Sequence, residues 1–296
     1  MAEWQGKSKG TAFGYKFFIA ILRYFGVKPA YYFLYIIALY YFLFSWETSR
    51  WSYYFFRKRM GYGRFKSIRK IYRSYYMLGQ TLIDRVVVSA GLGGKITSES
   101  FGAENLHTMV AQKRGGILLG SHIGNWGIAS QYLMNYDSSI NVLVYDVERE
   151  QIKKTLESTT GGRHYNMILI KEDLSHIYEI GEALLRNEII CMTADRFMPG
   201  ARTALVKFVG EYAQFPVGPF QIIKSFRAPY TFVYGVKAGT THYNCFARPH
   251  REVTRETTTE QIMEDYVRDL EGMVKQFPEQ WFNYFDFWKK PAHAAG

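Results

Sequence analysis

A histidine placed where a strand gives way to a helix has the clearest chemical capacity in this chain. In Gly115-Gly116-Ile117-Leu118-Leu119-Gly120-Ser121-His122-Ile123-Gly124-Asn125-Trp126-Gly127, a short apolar run lies between glycines, the pattern of a buried strand. Residues 126–134 then read as a helix. In an open α/β sheet, ligands bind in the crevice beyond the carboxyl ends of the strands. Imidazole is the side chain best matched to moving a proton near neutral pH. Ser121 is not read as a nucleophile served by that base, because adjacent residues do not readily bring hydroxyl and imidazole together and no GxSxG elbow occurs. The base is expected to act on a substrate hydroxyl or amine. Backbone N–H groups around Gly124, at the helix start, are expected to stabilise an oxyanion or a phosphate.

Such a site needs a sheet to carry it. Strands are expected at 115–121, 141–146, 166–170 and 188–193, with helices between them at 125–135, 147–158 and 174–186. This alternation implies right-handed βαβ units and a parallel sheet. The residues that follow the strands are His122, Asp146, Lys171 and the pair Asp195-Arg196. One base, two carboxylates and two cations would thus share a rim, and it is the set rather than any one loop charge that points to a site. Further strands are expected near 203–209, 230–236 and 241–247, and a helix at 217–226. A long helix at 259–277 would open on the capping box Thr257-x-x-Glu260 and close at Pro278, with Ile262, Met263, Tyr266, Leu270, Met273, Val274 and Phe277 as its buried stripe.

The composition narrows what the rim could serve. Of 296 residues, 48% are hydrophobic and 21% charged, which marks a folded chain. Aromatic residues reach 18%, a surface suited to lipid or long acyl chains. The net charge of +11 favours anionic partners. Cys191 and Cys245 lie far apart with no CxxC, so neither a disulfide framework nor a zinc site is expected, and no metal site is read elsewhere. HExxH, the Walker-type phosphate loop and GxGxxG are all missing. Basic residues interleaved with aromatics are the sole hint of nucleic acid, and with no recognised module that partner is not expected.

Residues 13–25 read as an amphipathic helix, broken at Lys28-Pro29. From 29 to 46 there are 18 residues without a charge. At ~1.5 Å per residue they would extend ~27 Å, enough to cross a hydrocarbon core, and a shallow interfacial or re-entrant helix is the alternative. Arg50, Arg57, Lys58, Arg59, Arg64, Lys66, Arg69, Lys70 and Arg73 follow, a charge excess that puts the body on the cytoplasmic face of an inner membrane, against anionic lipid. The expected division is a membrane-anchoring segment over 1–46 and a catalytic domain over 47–296.

Ser121-His122-Ile123-Gly124-Asn125-Trp126 resembles the first motif of the bacterial lipid A late acyltransferases, within the lysophospholipid acyltransferase superfamily. The N-terminal apolar segment, Ala194-Asp195-Arg196, the block from Phe208-Val209-Gly210 to Phe215-Pro216-Val217-Gly218-Pro219, and the closing Pro278-Glu279-Gln280-Trp281-Phe282-Asn283-Tyr284 agree with it in order. The resemblance implies an α/β fold with a mixed, largely parallel sheet flanked by helices, and direct acyl transfer without a cofactor. His122 would deprotonate an acceptor that attacks an acyl thioester, with acyl-carrier protein as the preferred donor and acyl-CoA as the alternative. Lys171 and Arg196 would hold phosphate, Asp195 would order Arg196 or the acceptor, and Gly124, Asn125, Trp126 and Gly218 would contact substrate. A membrane lipid is the implied acceptor.

Gly127 departs from the family pattern, which has an acid, usually Glu, at that place to orient the imidazole. Three explanations stand: an inactivated variant, which is favoured because the motif is otherwise intact; a replacement carboxylate, Asp146 or Asp195; or a natural branch that no longer catalyses. A non-catalytic lipid-binding protein is the corresponding alternative function. The ending Asn283-Tyr284-Phe285-Asp286-Phe287-Trp288 also differs from the basic ending of lipid A enzymes and leaves the acceptor open among lipid A precursors, amino-acid lipids, glycolipids and polyene lipids.

Overall fold

The computed structural model describes residues 21–22, 24–89, 96–125, 128, 138–145, 166–171 and 173–289. Trp126, Gly127, Asp146 and the helices expected at 125–135 and 147–158 lie outside the described residues, apart from Asn125 and Ile128. So does most of the amphipathic helix expected at 13–25.

After helical residues at 21–22 and 24–25 come α1 (Val27–Phe44), α2 (Trp46–Tyr54) and α3 (Arg64–Ser89), with a π-helical turn at Phe55–Arg59 after α2. The break expected at Lys28-Pro29 falls two residues earlier, at Gly26, whose φ of 83° ends the preceding helical residues; Pro29 instead sits in the first turn of α1, where an N–H has no intrahelical acceptor to lose. The body then alternates β1 (Thr97–Phe101), α4 (Ala103–Ala111), β2 (Gly116–Gly120), β3 (Ile140–Tyr145), β4 (Asn166–Ile170), α5 (His176–Leu185) and β5 (Ile189–Thr193). After these come β6 (Thr203–Phe208), β7 (Glu211–Pro216), α6 (Gly218–Phe226), β8 (Tyr230–Lys237), β9 (His242–Ala247) and α7 (Thr259–Gln276).

Among the described residues, seven strands form one sheet in the order β1-β9-β8-β2-β5-β3-β4. Strands β8, β2, β5, β3 and β4 run parallel, while β9 pairs antiparallel with β8 and carries β1 parallel to itself. The sheet is thus mixed and largely parallel, as expected. β2 is buried along Gly116–Leu119, which is why its sequence is apolar without alternation. On one face, Ile117, Leu119, Ile190, Phe232 and Tyr234 pack with Ile262, Tyr266, Leu270 and Val274 of α7. On the other, Leu118, Ile140, Val142 and Val144 pack with Leu106 and Met109 of α4.

Two expectations shift. α7 is capped by Thr258, not Thr257: the Thr258 hydroxyl accepts the Gln261 N–H at 3.2 Å, and the Gln261 side chain returns to the Thr258 N–H at 2.8 Å. Thr257 Oγ1 accepts the Thr254 N–H instead. The strand expected near 203–209 is half of an antiparallel hairpin whose return, β7, was not read. Val209 and Gly210 turn it, both at positive φ (48° and 83°). A β-branched residue rarely holds that conformation; here α7 supports it, since Glu271 accepts the Val209 N–H at 2.7 Å.

α1 lies along α3. Val27, Ala30, Tyr31, Leu34 and Ala38 are its buried stripe, and Tyr32, Ile36, Tyr40, Leu43 and Phe44 face outward. By length and composition α1 is a helix able to cross a membrane. Tyr35 stacks on Tyr76 and Phe42 meets Tyr72 edge-on, so the two helices run antiparallel. The inward side of α3 carries Ser67, Ser74, Thr81 and Asp84, all buried. Asp84 pairs with Lys237 at the end of β8 and accepts the hydroxyls of Tyr31 and Tyr243, so one carboxylate joins α1, α3, β8 and β9. Burial pushes the Lys237 ammonium below the usual lysine range, with Asp84 opposing the shift. Removing one member of a buried pair leaves the other uncompensated. Asp84→Asn should therefore destabilise the fold by ~3–5 kcal/mol, and the double replacement Asp84→Leu with Lys237→Met should recover most of that loss, as read by denaturant unfolding in detergent.

Candidate active site

β2 and β5 are adjacent and parallel, so the residues that follow them meet at one edge. His122 follows β2 and Asp195 follows β5. The Asp195 carboxylate holds His122 at two points: Oδ1 lies 2.8 Å from the imidazole Nδ1, and Oδ2 accepts the His122 backbone N–H at 2.9 Å. Burial alone would raise the acid, but the charge and hydrogen bonds of His122, together with Arg196, hold it below the usual aspartate range. An ionised carboxylate can only accept, so Nδ1 carries the hydrogen of this bond and Nε2 is the basic nitrogen. The Asp195 side chain is 2% exposed and that of His122 23%, so the imidazole can be reached from solvent while its partner cannot.

The backbone of the histidine loop is pinned from both sides. Phe282 N–H donates to His122 O at 3.1 Å, Gly124 N–H donates to Gln280 O at 2.8 Å, and Ile123 bridges Trp281 antiparallel. On the β8 side, Asn125 N–H donates to Gly235 O at 2.6 Å. Gly124 has φ of +64°, and a Cβ there would stand 2.1 Å from Gly235 O. Glycine is required by this close approach. The N–H groups of Gly124 and Asn125 are donated within the protein and so do not serve an oxyanion, and those of Trp126 and Gly127 lie outside the described residues.

The remaining expected site residues divide. Asn125 is fully buried and donates through Nδ2 to Thr81 O at 3.2 Å, tying the loop to α3. Arg196 is beside the dyad, yet its guanidinium donates to Phe282 O at 2.6 Å and lies over Phe285. Lys171 is not brought to His122. β4 is three strands from β2, about 14 Å at ~4.8 Å per strand, and Lys171 Nζ instead meets Glu179 at 3.4 Å. Gly218 opens α6 beside the β6–β7 hairpin, and no described contact joins it to His122. Trp126, Gly127 and Asp146 are outside the described residues. Among the described residues no cluster of His, Cys, Asp and Glu could hold a metal ion. Burial pushes the thiols of Cys191 and Cys245 up to about 12, which leaves them unreactive.

Sequence reasoning did not find Gln280, which lies under the loop, or Tyr266, whose hydroxyl donates to Gly120 O at 2.8 Å and fixes the end of β2. Tyr266 was read simply as part of a buried stripe. Gln280 sits in the closing block, where only its place in a motif marked it.

A base held by a buried carboxylate at the carboxyl edge of a parallel sheet defines a protein equipped for acid–base group transfer. A model of the family described as bacterial lipid A biosynthesis acyltransferase matches residues 69–290, and the chain belongs to that family. The reaction class is therefore acyl transfer to lipid. Among solved structures it is similar to the 1-acyl-sn-glycerophosphate (LPA) acyltransferase PlsC from Thermotoga maritima, with 13% identity over 88% of this chain and 99% of that one and a TM-score of 0.42. No curated protein matched the chain by sequence.

Asp195→Asn should lower the rate of acyl transfer by ~10²–10⁴, the range found when a triad loses its carboxylate, and a loss below tenfold in a folded variant would take Asp195 out of this role. The acid is depressed in the folded state, so the stability it contributes is complete above its unfolded value near ~3.9 and is lost as pH falls through its lower folded value. Acid unfolding of Asp195→Asn should accordingly be less steep below pH ~4 than that of the parent chain.

Proposed function

We propose that the chain is an active membrane-associated acyltransferase that moves a fatty acyl group from an acyl thioester to a hydroxyl or amine of an envelope lipid. The two-point contact between Asp195 and His122 carries this reading. His122 Nε2 takes the proton of the acceptor as its oxygen or nitrogen bonds to the thioester carbonyl carbon. The C–S bond then breaks, and the thiolate leaves with that proton. A thiol of pKa ~8.5 is a good leaving group. Of the explanations for Gly127, replacement by Asp195 is preferred to inactivation, since the imidazole already has an orienting carboxylate at Nδ1. Acyl-carrier protein is the proposed donor, on the basis of the net charge of +11, with acyl-CoA as the alternative.

The proposed setting is the cytoplasmic face of a bacterial inner membrane. α1 presents an apolar outer stripe, and the exposed Lys58, Arg64 and Arg69 stand close by in sequence on the next helical segments. Replacing all three by Gln should weaken flotation with anionic vesicles roughly a hundredfold, from about 1 kcal/mol per basic residue, and leave neutral vesicles unaffected.

Transfer from radiolabelled acyl-carrier thioester to extracted envelope lipids tests the reaction, with mass spectrometry identifying the acylated acceptor. The parent chain should turn over, His122→Ala should not, and Gly127→Glu should gain less than about tenfold, because a second carboxylate adds little to an oriented base. Activity that appears only in Gly127→Glu would establish inactivation. No activity in either, with lipid still bound, would favour the lipid-binding protein that Gly127 otherwise suggests.

A further inference from the structure

The segment Pro278–Gln280 and the residues after it form a strap across the end of β8. Gln280 is buried, and its side chain treats Lys237 as a strand partner: Oε1 accepts the Lys237 N–H at 2.7 Å and Nε2 donates to Lys237 O at 2.8 Å. Its own carbonyl accepts the Gly124 N–H, and two residues on, Phe282 donates to His122 O. The histidine loop therefore lies between β8, through Gly235, and this strap. The strap is fixed in turn to α3, where Glu279 meets Lys70 at 2.5 Å and Arg73 at 3.4 Å, and Tyr284 bonds Ser74 at 2.9 Å.

We infer that Gln280 is a positioning residue for His122, acting through the Gly124 peptide. Its two bonds to Lys237 fix where the strap crosses the end of β8, and that sets the height of the His122–Gly124 backbone over the sheet. Asp195 is fixed separately by β5. The Nδ1–Oδ1 contact of 2.8 Å is thus the meeting of two independently anchored parts, and loosening one part opens it. A displacement of ~1 Å in such a group is enough for a loss on the order of a hundredfold in rate. The inference rests on the proposed acyl transfer for its kinetic consequence alone; the geometric consequence stands apart from it.

Gln280→Met keeps length and removes both bonds to Lys237; Gln280→Glu keeps the acceptor and removes the donor. In the full chain in detergent, kcat for acyl transfer should fall ~10- to 100-fold in Gln280→Met and by less in Gln280→Glu, with KM for the acyl donor within about twofold. The downfield Nδ1 proton resonance, identified by its loss in His122→Ala, should broaden or disappear in step. Val274→Ala, a buried change in α7, should lower stability with neither effect. Should Gln280→Met misfold, Gln280→Glu decides alone. A folded variant with parental kcat and an intact resonance overturns the inference. If the parent chain transfers no acyl group, the proposed function fails, while the resonance comparison still decides the positioning.

Discussion

The structure depends on a carboxylate that has been taken out of water. Asp195 is 1% exposed, and an isolated carboxylate there would take up a proton rather than stay charged. It stays ionised because two donors from one residue, the ring and the peptide N–H of His122, converge on its two oxygens. That convergence needs the peptide of His122 and its ring to be placed together, so the whole loop must be rigid. The parallel pairing of β2 and β5, the glycine at 124 and the strap at 280–282 all follow from this demand. Each supplies a fixed point that the dyad alone could not.

With Asp195 at its Nδ1, the imidazole of this chain has a carboxylate partner other than an acid five residues downstream. In the family pattern the orienting acid comes from the same loop as the histidine, so loop and acid move together. In this chain the oriented nitrogen is held from the neighbouring strand. The second arrangement transfers the burden of positioning from local sequence to tertiary structure: it works only while β2 and β5 keep their register, with Gly120 opposite Thr193. Tyr266, bonded to Gly120 O from the long helix behind the sheet, is one of the groups that hold that register.

Much of this fold could be read in advance, and for a specific reason. β2, β4 and β5 are glycine- or polar-bounded apolar runs, so burial writes them into the sequence directly, and the residues following them could be named. What could not be read was strand order. β5 inserts between β2 and β3, which brings Asp195 to His122 and leaves Lys171 three strands away; no local pattern encodes that choice. Gly124 shows the same limit. Its helix-start setting suggested free N–H donors, whereas the acceptor comes from residue 280, beyond any window in which spacing is informative. Lys237 and Asp84 were equally silent, although Asp84 is the acid that ends a long acid-free stretch of basic helix. The capping error is of another kind: Thr257 and Thr258 are chemically the same, and only the backbone conformation separates them.

The buried pair gives the apolar N-terminal helix a defined relation to the site. Tyr31 near the start of α1 bonds to Asp84, Asp84 holds Lys237, and the peptide of Lys237 is the one that Gln280 grips. A chain of contacts thus runs from a helix with an outward apolar stripe to the loop that carries the base. Hydrocarbon contact by itself could not specify such a relation, because apolar packing is non-directional and tolerates sliding. A buried ion pair with two tyrosine hydroxyls does not tolerate it: a shift of one residue along α3 would leave a charge in the core without its partner. Placing the polar cluster at the junction of α1, α3, β8 and β9 therefore fixes the register of the lipid-compatible helix against the sheet. The loop that carries the base is thereby held in one register with that helix.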